Sequence, residues 1–314
     1  MTRGHTLFTR HPDNPLLTAD DWPVPVNAVF NPGACRVDDE TVLVCRVEDT
    51  RGMSHLWAAR SDDGIGGWRV DPEPFLSPRF GESSQEWGLE DARVVFVSEL
   101  ERFVLTCTAY GPPGPAVVLA TTDMRTVERL EIVMPPEDKN ASLFPRRIGN
   151  EWVLLHRPVT VHAGGNADIW LSRSADLDAW RRPEIVLRRR QGAWWDSMRI
   201  GAGPPPIETA EGWLVIYHGV RETVAGAIYR AGMALLDLDD PTRVLHRTPD
   251  FVLAPAAPYE RIGDVPNVVF PTGAVHDVET GRLHLYYGAA DTVIAEASAD
   301  FDAVVDHLLG CPAD

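Results

Sequence analysis

The stretch Ala59-Arg-Ser-Asp-Asp63 ends a segment of small residues in an acidic turn, and the chain repeats this arrangement four more times. The other copies are Ala120-Thr-Thr-Asp123, Leu171-Ser-Arg-Ser-Ala-Asp176, Ala234-Leu-Leu-Asp-Leu-Asp239 and Ala295-Glu-Ala-Ser-Ala-Asp300. Ser, Thr and Asp side chains form such turns by hydrogen bonding to the nearby backbone. The copies lie roughly 53–63 residues apart, which suits one four-stranded sheet per copy. Five copies predict a five-bladed β-propeller.

The segments between these turns have the pattern of β-strands. Short apolar runs rich in β-branched and aromatic residues, such as Phe103–Thr108 and Trp213–Tyr217, are bounded by glycine, proline and acidic residues. Helical periodicity is confined to the tail, where Phe301–Leu309 predicts a helix. We therefore expect an all-β fold with residues 1–314 in a single propeller domain. The competing interpretation is that acidic turns are common in all-β proteins and that the five copies are a chance selection.

Composition and charge restrict the partners of the protein. The formal net charge of -17 argues against nucleic acid or an anionic membrane, although a few convergent arginines can still bind a small anion. The first residues, MTRGHTLFTRHPDNPLLT, contain no unbroken apolar stretch, and no later segment is long enough to span a membrane. Cys35, Cys45, Cys107 and Cys311 form no CxxC pair and are expected to be reduced thiols. These features predict a cytoplasmic protein.

Polar residues next to glycine and proline mark several candidate functional loops. Each is ambiguous alone: Arg46 and Glu48 could form a surface ion pair, the Glu90–Arg93 segment could be a solvated turn, and His156 and His218 could be structural. Gly201-Ala-Gly203 precedes three prolines and lacks the strand-to-helix setting of a dinucleotide site. The sequence shows no zinc-ligand spacing and no GxSxG nucleophile motif.

Taken together, the motifs resemble glycoside hydrolase family 130, the mannoside phosphorylases and related mannosidases. The resemblance runs from about residue 13 to about residue 295, and the family's fold is a five-bladed propeller. The residues that carry it are Asn31-Pro-Gly-Ala34, Arg46-x-Glu48, Gly52-x-Ser54, Ser61-x-Asp63-Gly64 with Trp68, Gly88-x-Glu90-Asp91-x-Arg93, Leu143-Phe-Pro145, His156-Arg-Pro158, Ile200-Gly-Ala-Gly-Pro-Pro-Pro206, Tyr217-His-Gly-Val220, Asn267-Val-Val-Phe-Pro271 and Tyr287-Gly-Ala-Ala-Asp291.

The resemblance implies inverting phosphorolysis of a β-mannoside, with inorganic phosphate as co-substrate, no other cofactor and no metal. By the same resemblance Asp91 is the general acid, passing its proton through the 3-hydroxyl of the mannose. Burial or the neighbouring Glu90 should raise the pKa of Asp91. Asn31, Arg46 and Asp291 resemble contacts to the mannosyl unit.

A phosphorylase needs a cationic pocket for its nucleophile, and arginine suits phosphate because its fork makes paired hydrogen bonds. Candidates for this pocket or its rim are Arg51, Lys139, Arg157, Tyr217 and His218. Trp87, Trp194 or Trp195 could supply an aromatic platform for the acceptor sugar.

Two other functions remain open at this point. An inverting β-mannosidase on the same fold would need a carboxylate base, for which Glu222 is a candidate. A non-catalytic sugar-binding propeller would need neither acid nor base. Ala92 stands where many members of the family carry proline, a change that should alter the stiffness of the loop more than its chemistry. The sequence fixes neither the linkage, β-1,4 or β-1,2, nor whether the chain forms a homo-oligomer.

Overall fold

The computed structural model describes residues 7–159 and 167–313, and nearly all of its regular structure is antiparallel β-strand. The predicted domain, residues 1–314, includes segments 1–6 and 160–166 and residue 314, which lie outside the described residues. After the short strand β1 (Thr9–Arg10), the strands form five successive sets, here called meanders I to V.

Each meander is built on four antiparallel strands, which pair in sequence order except that β1 joins the last meander. Meander I contains β2 (Val26–Val37), β3 (Glu40–Asp49), β4 (Ser54–Ser61) and β5 (Arg69–Val70). Meander II contains β6 (Gly88–Val97), β7 (Arg102–Tyr110), β8 (Ala116–Thr122) and β9 (Val127–Met134). Meander III contains β10 (Asp138–Leu143), β11 (Trp152–Pro158), β12 (Ile169–Ser174) and β13 (Arg181–Leu187). A single parallel residue pair, Ser54 with Gly88, joins meanders I and II into one eight-stranded sheet.

The last two meanders carry small additions. Meander IV contains β14 (Arg199–Ala202), β16 (Trp213–Thr223), β17 (Gly226–Leu236) and β18 (Val244–Arg247), with β15 (Ile207–Glu208) also paired to β16. Meander V contains β19 (Val269–Asp277), β20 (Arg282–Ala289) and β21 (Val293–Asp300). Its fourth strand is β1, so the N-terminal segment completes the last sheet. The helices are α1 (Pro258–Arg261), α2 (Phe301–Leu309) and the 3-10 turns Ala19–Asp21 and Ser83–Gln85. Helix α2 has the bounds that the sequence predicts.

The five acidic turns all follow the third strand in sequence of a meander, which confirms the repeat. Asp63 Oδ1 accepts the backbone N–H groups of Ile65 and Gly66, each at 2.8 Å. In meander IV the accepting side chain is Asp237, two residues before the predicted Asp239. In meander V, Asp300 caps α2 by accepting the backbone N–H of Ala303 at 2.9 Å.

Five buried apolar clusters hold the meanders together, and each cluster is shared by two neighbouring meanders. The pairs are I with II, II with III, III with IV, IV with V, and V with I. In the last cluster Tyr286 and Ile294 of meander V pack with Leu43 and Trp57 of meander I. Successive side chains of a strand point to opposite faces of its sheet. Because each sheet is covered on both sides, the side chains on both faces are apolar.

Three of the four cysteines are buried and none forms a disulfide, in agreement with the predicted thiols. Among the helices that the structure describes, none is long and apolar enough to cross a membrane.

Candidate active site

A cavity of about 860 Å³ is lined by residues from all five meanders. Its charged and amide side chains include seven of the nine predicted site residues, together with others that the sequence did not single out. The seven are Asn31, Arg46, Asp91, Lys139, Arg157, His218 and Asp291. Residues far apart in the chain thus meet at one place, as the prediction required.

Three of the lining side chains sit on bulges in the first strands of meanders I to III. The register shifts in β2, β6 and β10 coincide with Asn31, Asp91 and Asn140, whose φ angles are +46°, +55° and +54°. Asn and Asp tolerate this left-handed conformation better than other non-glycine residues. Bulges turn a side chain out of the regular alternation. A bulge in the first strand of each of meanders I to III therefore directs one polar side chain into the cavity.

The guanidinium of Arg93 fixes the bulge of β6. It is 1% exposed and donates to the carbonyl oxygens of Asp91, Ala202 and Gly203 at 2.6, 3.1 and 2.9 Å. Arg93 therefore ties the backbone of Asp91 to meander IV, so this arginine acts as a structural brace.

Asp91 is buried among positive charges. Its Oδ1 accepts hydrogen bonds from Asn31 Nδ2 at 2.9 Å and from Arg46 Nη1 at 3.3 Å. Burial pushes the pKa of Asp91 upward, but Arg46, Lys139 and Arg93 together with the Asn31 hydrogen bond outweigh it and hold the pKa below its usual value. The expectation of a raised pKa is wrong, because it considered burial and Glu90 and missed the cations that the fold brings near the carboxyl.

Arg46 is shared by the carboxylates of the site. Its Nη2 lies 3.0 Å from Glu90 Oε1, and its Nε donates to Ser54 Oγ at 3.0 Å. The guanidinium also lies over the ring of Phe30, 4.6 Å from the centroid. Glu90 and Asp91 are both buried, which rules out a solvated turn for this segment.

Asp291 has the opposite protonation behaviour to Asp91. The pKa of Asp291 is raised to about 7. Burial is the largest cause; the charge of Arg46 acts in the opposite direction, and the charges of Asp91 and Glu90 add to the increase. Asp291 has a φ of +49° in the turn between β20 and β21. Asp291 therefore titrates near neutral pH, whereas Asp91 is ionised there.

The Asp291→Asn variant should show this titration as a change in stability. The folded pKa of about 7 exceeds the value of about 3.9 for an unfolded Asp. The protonated carboxyl thus stabilises the fold fully below about pH 4, and this contribution is lost as the pH rises through about 7. We expect the melting temperature of Asp291→Asn, relative to wild type, to increase between pH 5 and pH 8.5. A difference that stays constant over this range would contradict the raised pKa.

The other side of the cavity is basic. Arg157 is 7% exposed, and its Nη1 lies 3.4 Å from His218 Nε2. Burial and the charge of Arg199 lower the pKa of Arg157 to about 10. Burial and the charges of Arg157, Arg93, Arg199 and Lys139 lower the pKa of His218 well below its usual value, so this imidazole is neutral.

Several polar atoms on this side have no protein partner among the described residues. They are Nε of Arg157, Nδ1 of His218 and both amide atoms of Asn140. Buried donors without partners are costly, and neighbouring cations repel each other. An anion bound here would satisfy the donors and relieve the repulsion, so this part of the cavity has the properties of an anion site.

Gly201 leaves space for two of these side chains. A Cβ on Gly201 would overlap the imidazole of His218 and would lie 2.5 Å from Asn140 Nδ2. We expect Gly201→Ala to displace both side chains and to raise the KM for phosphate at least about tenfold, the effect of losing one charge-assisted hydrogen bond. Gly66→Ala is the control, since a Cβ there meets nothing within 4 Å. Equal phosphate KM values in the two variants would contradict this role.

A buried chain of hydrogen bonds supports the two cations of meander III. His156 Nδ1 lies 2.6 Å from Asp138 Oδ2, and its Nε2 lies 3.0 Å from Ser172 Oγ. The next residues along β10 and β11, Lys139 and Arg157, are direct partners across the two strands. His156 is therefore structural, as one interpretation of the sequence held, and it helps to fix the strands that carry the cations.

The structure does not bring Arg51 or Tyr217 into the lining of this cavity. The Arg51 side chain is 73% exposed and pairs with Asp49 at 2.7 Å. Tyr217 precedes His218 on β16, and consecutive strand residues point to opposite faces. Its ring stacks on Trp195 and its hydroxyl donates to Asp196 at 3.1 Å. The prediction that these two residues contact phosphate needs correction on these grounds.

The lining residues that were missed from the sequence include Asn140, Arg199 and Tyr229, together with Tyr110 and Glu137. Arg199 Nη2 donates to the hydroxyl of Tyr229 and lies over its ring. Among the tryptophans proposed for the acceptor, Trp87 lines the cavity, whereas Trp194 and Trp195 line a different groove.

Known proteins match the chain over nearly its full length. A family model described as beta-1,4-mannooligosaccharide phosphorylase matches residues 11–309. A beta-1,4-mannooligosaccharide phosphorylase of Ruminococcus albus is 36% identical over 310 residues, which cover 96% of this chain and 91% of that protein. A 4-O-beta-D-mannosyl-D-glucose phosphorylase of Bacteroides fragilis is 28% identical, with 100% of this chain and 84% of that protein covered.

A solved structure also matches. The beta-1,2-mannobiose phosphorylase from Listeria innocua, in complex with beta-1,2-mannobiose, superposes with a TM-score of 0.85 at 32% identity. The match covers 96% of this chain and 99% of the other.

Carboxylates beside a basic cavity on an all-β scaffold, together with these relatives, define a carbohydrate-active enzyme. The chain belongs to glycoside hydrolase family 130, whose named relatives here are mannoside phosphorylases. The resemblance seen in the sequence is confirmed.

Proposed function

We propose that this enzyme is an inverting phosphorylase that cleaves β-mannosides with inorganic phosphate and releases α-mannose 1-phosphate. The observation that carries the proposal is the basic side of the cavity, where Lys139, Arg157 and Arg199 converge beside carboxylates with donors left unsatisfied. Phosphate is the co-substrate, and the reaction uses no other cofactor. Because the relatives differ in linkage, the substrate is a β-1,4- or β-1,2-mannoside.

The proposed scaffold is a single five-bladed β-propeller with one meander per blade. Five four-stranded meanders and five shared apolar clusters support this arrangement. The cluster between meanders V and I is the strongest support, because it is the contact that closes a ring. A ring also accounts for a cavity lined by all five meanders.

Asp91 is the proposed general acid. A phosphate oxygen forms the new bond to the anomeric carbon while the glycosidic bond breaks, and the departing oxygen takes a proton that originates on Asp91 and passes through the mannosyl 3-hydroxyl. Attack on the face opposite the leaving group converts the β-linkage into an α-phosphate.

Phosphate binding would prepare Asp91 for this role. Positive charges, including those of Arg46 and Lys139, outweigh burial and keep the pKa of Asp91 low. A bound phosphate dianion near Lys139 offsets part of that charge, and the bound sugar excludes water. Both effects raise the pKa of the carboxyl. Phosphate therefore acts as nucleophile and also favours protonation of the acid.

The proposed phosphate pocket consists of Lys139, Asn140, Arg157, Arg199, His218 and Tyr229. The arginines supply paired donors, and the neutral His218 has a ring nitrogen without a partner. Arg51 and Tyr217 are left out, since neither lines the cavity.

The proposed mannosyl contacts are Asn31, Arg46 and Asp291. They lie near Asp91, on the side of the cavity that faces the basic side. Trp87 and Tyr110 form an aromatic pair at the cavity, with ring centroids 5.1 Å apart. Aromatic faces suit the apolar face of a sugar ring, so this pair is the proposed acceptor platform.

Hydrolysis on the same scaffold would need a base for water. The candidate from the sequence, Glu222, is exposed and does not line the cavity. Phosphate needs no base because it is already an anion. The cavity contains the carboxylates of Glu137 and Asp291 besides Asp91, so it is the convergence of Lys139, Arg157 and Arg199 on one side that favours phosphate as the nucleophile.

Product analysis with and without phosphate tests the proposal. We expect mannose 1-phosphate from at least one β-1,4- or β-1,2-mannobiose when phosphate is present, and no cleavage when it is absent. Phosphate-independent release of free mannose would support the hydrolase instead. An intact substrate under both conditions, across the whole panel, would support a sugar-binding protein.

A further inference from the structure

A second groove of about 370 Å³ lies outside the cavity described above. It is lined by Ala193, Trp194, Trp195, Arg221, Thr223, Arg230, Asp250 and Phe251. Trp194 and Phe251 are both exposed, at 44% and 38%. Arg190 and Arg230 lie over these two rings, 4.8 and 5.1 Å from the centroids, so a ring-shaped ligand would stack on the part of each ring that stays exposed.

The two arginines of this groove give it a positive charge. Neither Arg221 nor Arg230 forms a salt bridge with a carboxylate in the described part of the chain. Nη1 of Arg230 is buried without a hydrogen-bond partner, and its guanidinium lies 5.1 Å from the Phe251 centroid. Burial and the charge of Arg221 lower the pKa of Arg230, so the two are close enough to repel. Arg221 also donates to the carbonyl oxygen of Ala193, and the exposed carboxylate of Asp250 lines the groove as well. Two arginines against one carboxylate leave the groove net positive in a chain of net charge -17, which favours an anionic ligand.

The groove lies on one face of the two-stranded ribbon formed by β16 and β17, and the other face of this ribbon carries part of the phosphate pocket. His218 and Tyr229 of β16 and β17 face the main cavity, whereas Arg221 and Arg230 face the groove. Arg221 lies three residues after His218 on β16, and Arg230 lies one residue after Tyr229 on β17. Residues an odd number apart along a strand point to opposite faces, which explains the arrangement.

A second connection runs through Trp195, which lines the groove. Its indole packs against Gly219 and Gly232 of the same ribbon, where an added Cβ would collide with it. A ligand that moves Trp195 or the arginines would therefore press on the backbone that positions His218 and Tyr229.

We propose that this groove is a regulatory site for a phosphorylated hexose. The sugar ring stacks on Trp194 and Phe251, the phosphate binds Arg221 and Arg230, and occupancy alters phosphate binding in the main cavity. The choice of a hexose 1-phosphate as ligand rests on the proposed function, because it is the product of that reaction.

Calorimetric titration with α-mannose 1-phosphate tests the site. We expect two binding sites in wild type and one in the double variant Arg221→Ala/Arg230→Ala. Arg102→Ala, an exposed arginine paired with Glu128, is the control and should keep two. If the double variant fails to fold, the single variant Arg221→Gln should still weaken the second site at least about tenfold. One site in wild type and the double variant alike would overturn the proposal.

Three further readouts complete the test. Mannose and inorganic phosphate, titrated separately, should each bind the groove more weakly than the sugar phosphate. Inhibition by α-mannose 1-phosphate, measured while the phosphate concentration is varied, should contain a noncompetitive component that disappears in the double variant. A change of oligomeric state in that variant, with no loss of a binding site, would mean that another copy covers the groove and would overturn the proposal.

Failure of the proposed function would look different from failure of this inference. An Arg157→Ala variant should lose only the site in the main cavity. If no phosphorolysis occurs but this variant retains a site that the Arg221→Ala/Arg230→Ala change removes, the groove stands without the proposed reaction.

Discussion

Replacement of Asp91 by Asn should lower kcat by about 10²–10⁴-fold, the range for loss of a general acid. The melting temperature should also fall, because the variant lacks a buried negative charge that Arg46 and Lys139 stabilise, so the kinetics are measured well below it. The amide has nearly the same shape and can still contact Asn31 and Arg46, but it has no acidic proton to give. Steady-state kinetics on a mannobiose with saturating phosphate measure the effect. Asp123→Asn, in an exposed turn, is the control and should behave as wild type.

Leaving-group dependence separates an acid from a merely structural carboxylate. The leaving group of a p-nitrophenyl β-mannoside is a stabilised phenolate, which needs little protonation as it departs. Asp91→Asn should therefore retain much more of its activity on this substrate than on mannobiose. Equal losses on both substrates, or a mannobiose kcat within twofold of wild type, would end the assignment of Asp91 as the acid.

Arg157→Ala should raise the KM for phosphate by about 10–100-fold, since hydrogen bonds to a charged group contribute about 1.5–3 kcal/mol. The KM for the mannoside should change far less. Arg51→Ala is a matched control, because Arg51 is an arginine close in sequence to the site but paired with Asp49 outside the cavity.

Initial rates over a matrix of phosphate and mannoside concentrations separate the two KM values. A variant in which only the mannoside KM rose would place Arg157 in the sugar site. A phosphate effect as large in Arg51→Ala would show that the cavity drawn here is not the phosphate pocket.

The repeat of the fold could be predicted because its turns depend on local chemistry. Asp63 and Asp176 each accept backbone N–H groups two and three residues ahead, and such a turn leaves a signature in adjacent letters. How the meanders pack on one another leaves no such signature. That packing depends on contacts such as the edge-to-face pair of Tyr286 with Trp68, which are distant in sequence.

The site was only partly predictable, because direction and distance are tertiary properties. His218 and Tyr217 are neighbours in a conspicuous motif, yet only one of them can face the cavity. Alternation along a predicted strand was the signal that could have separated them. The lowered pKa of Asp91 arises from Lys139 and Arg46, whose distance from the carboxyl is not visible in the sequence.

Asn140 left a usable signal. It interrupts a strand with a residue that favours left-handed backbone, as Asn31 and Asp91 do. Arg199 and Tyr229 left none, since an arginine and a tyrosine on predicted strands have no pattern that distinguishes a pocket from a surface.

The most direct measurement is a crystal structure with mannobiose and phosphate bound to the Asp91→Asn variant. We expect phosphate among Lys139, Arg157, Arg199 and His218, within hydrogen-bond distance of the arginine nitrogens and facing the anomeric carbon, with residue 91 on the other side of the sugar. Phosphate bound elsewhere, such as at the exposed Arg51, or a sugar whose anomeric carbon points away from this basic pocket, would contradict the account.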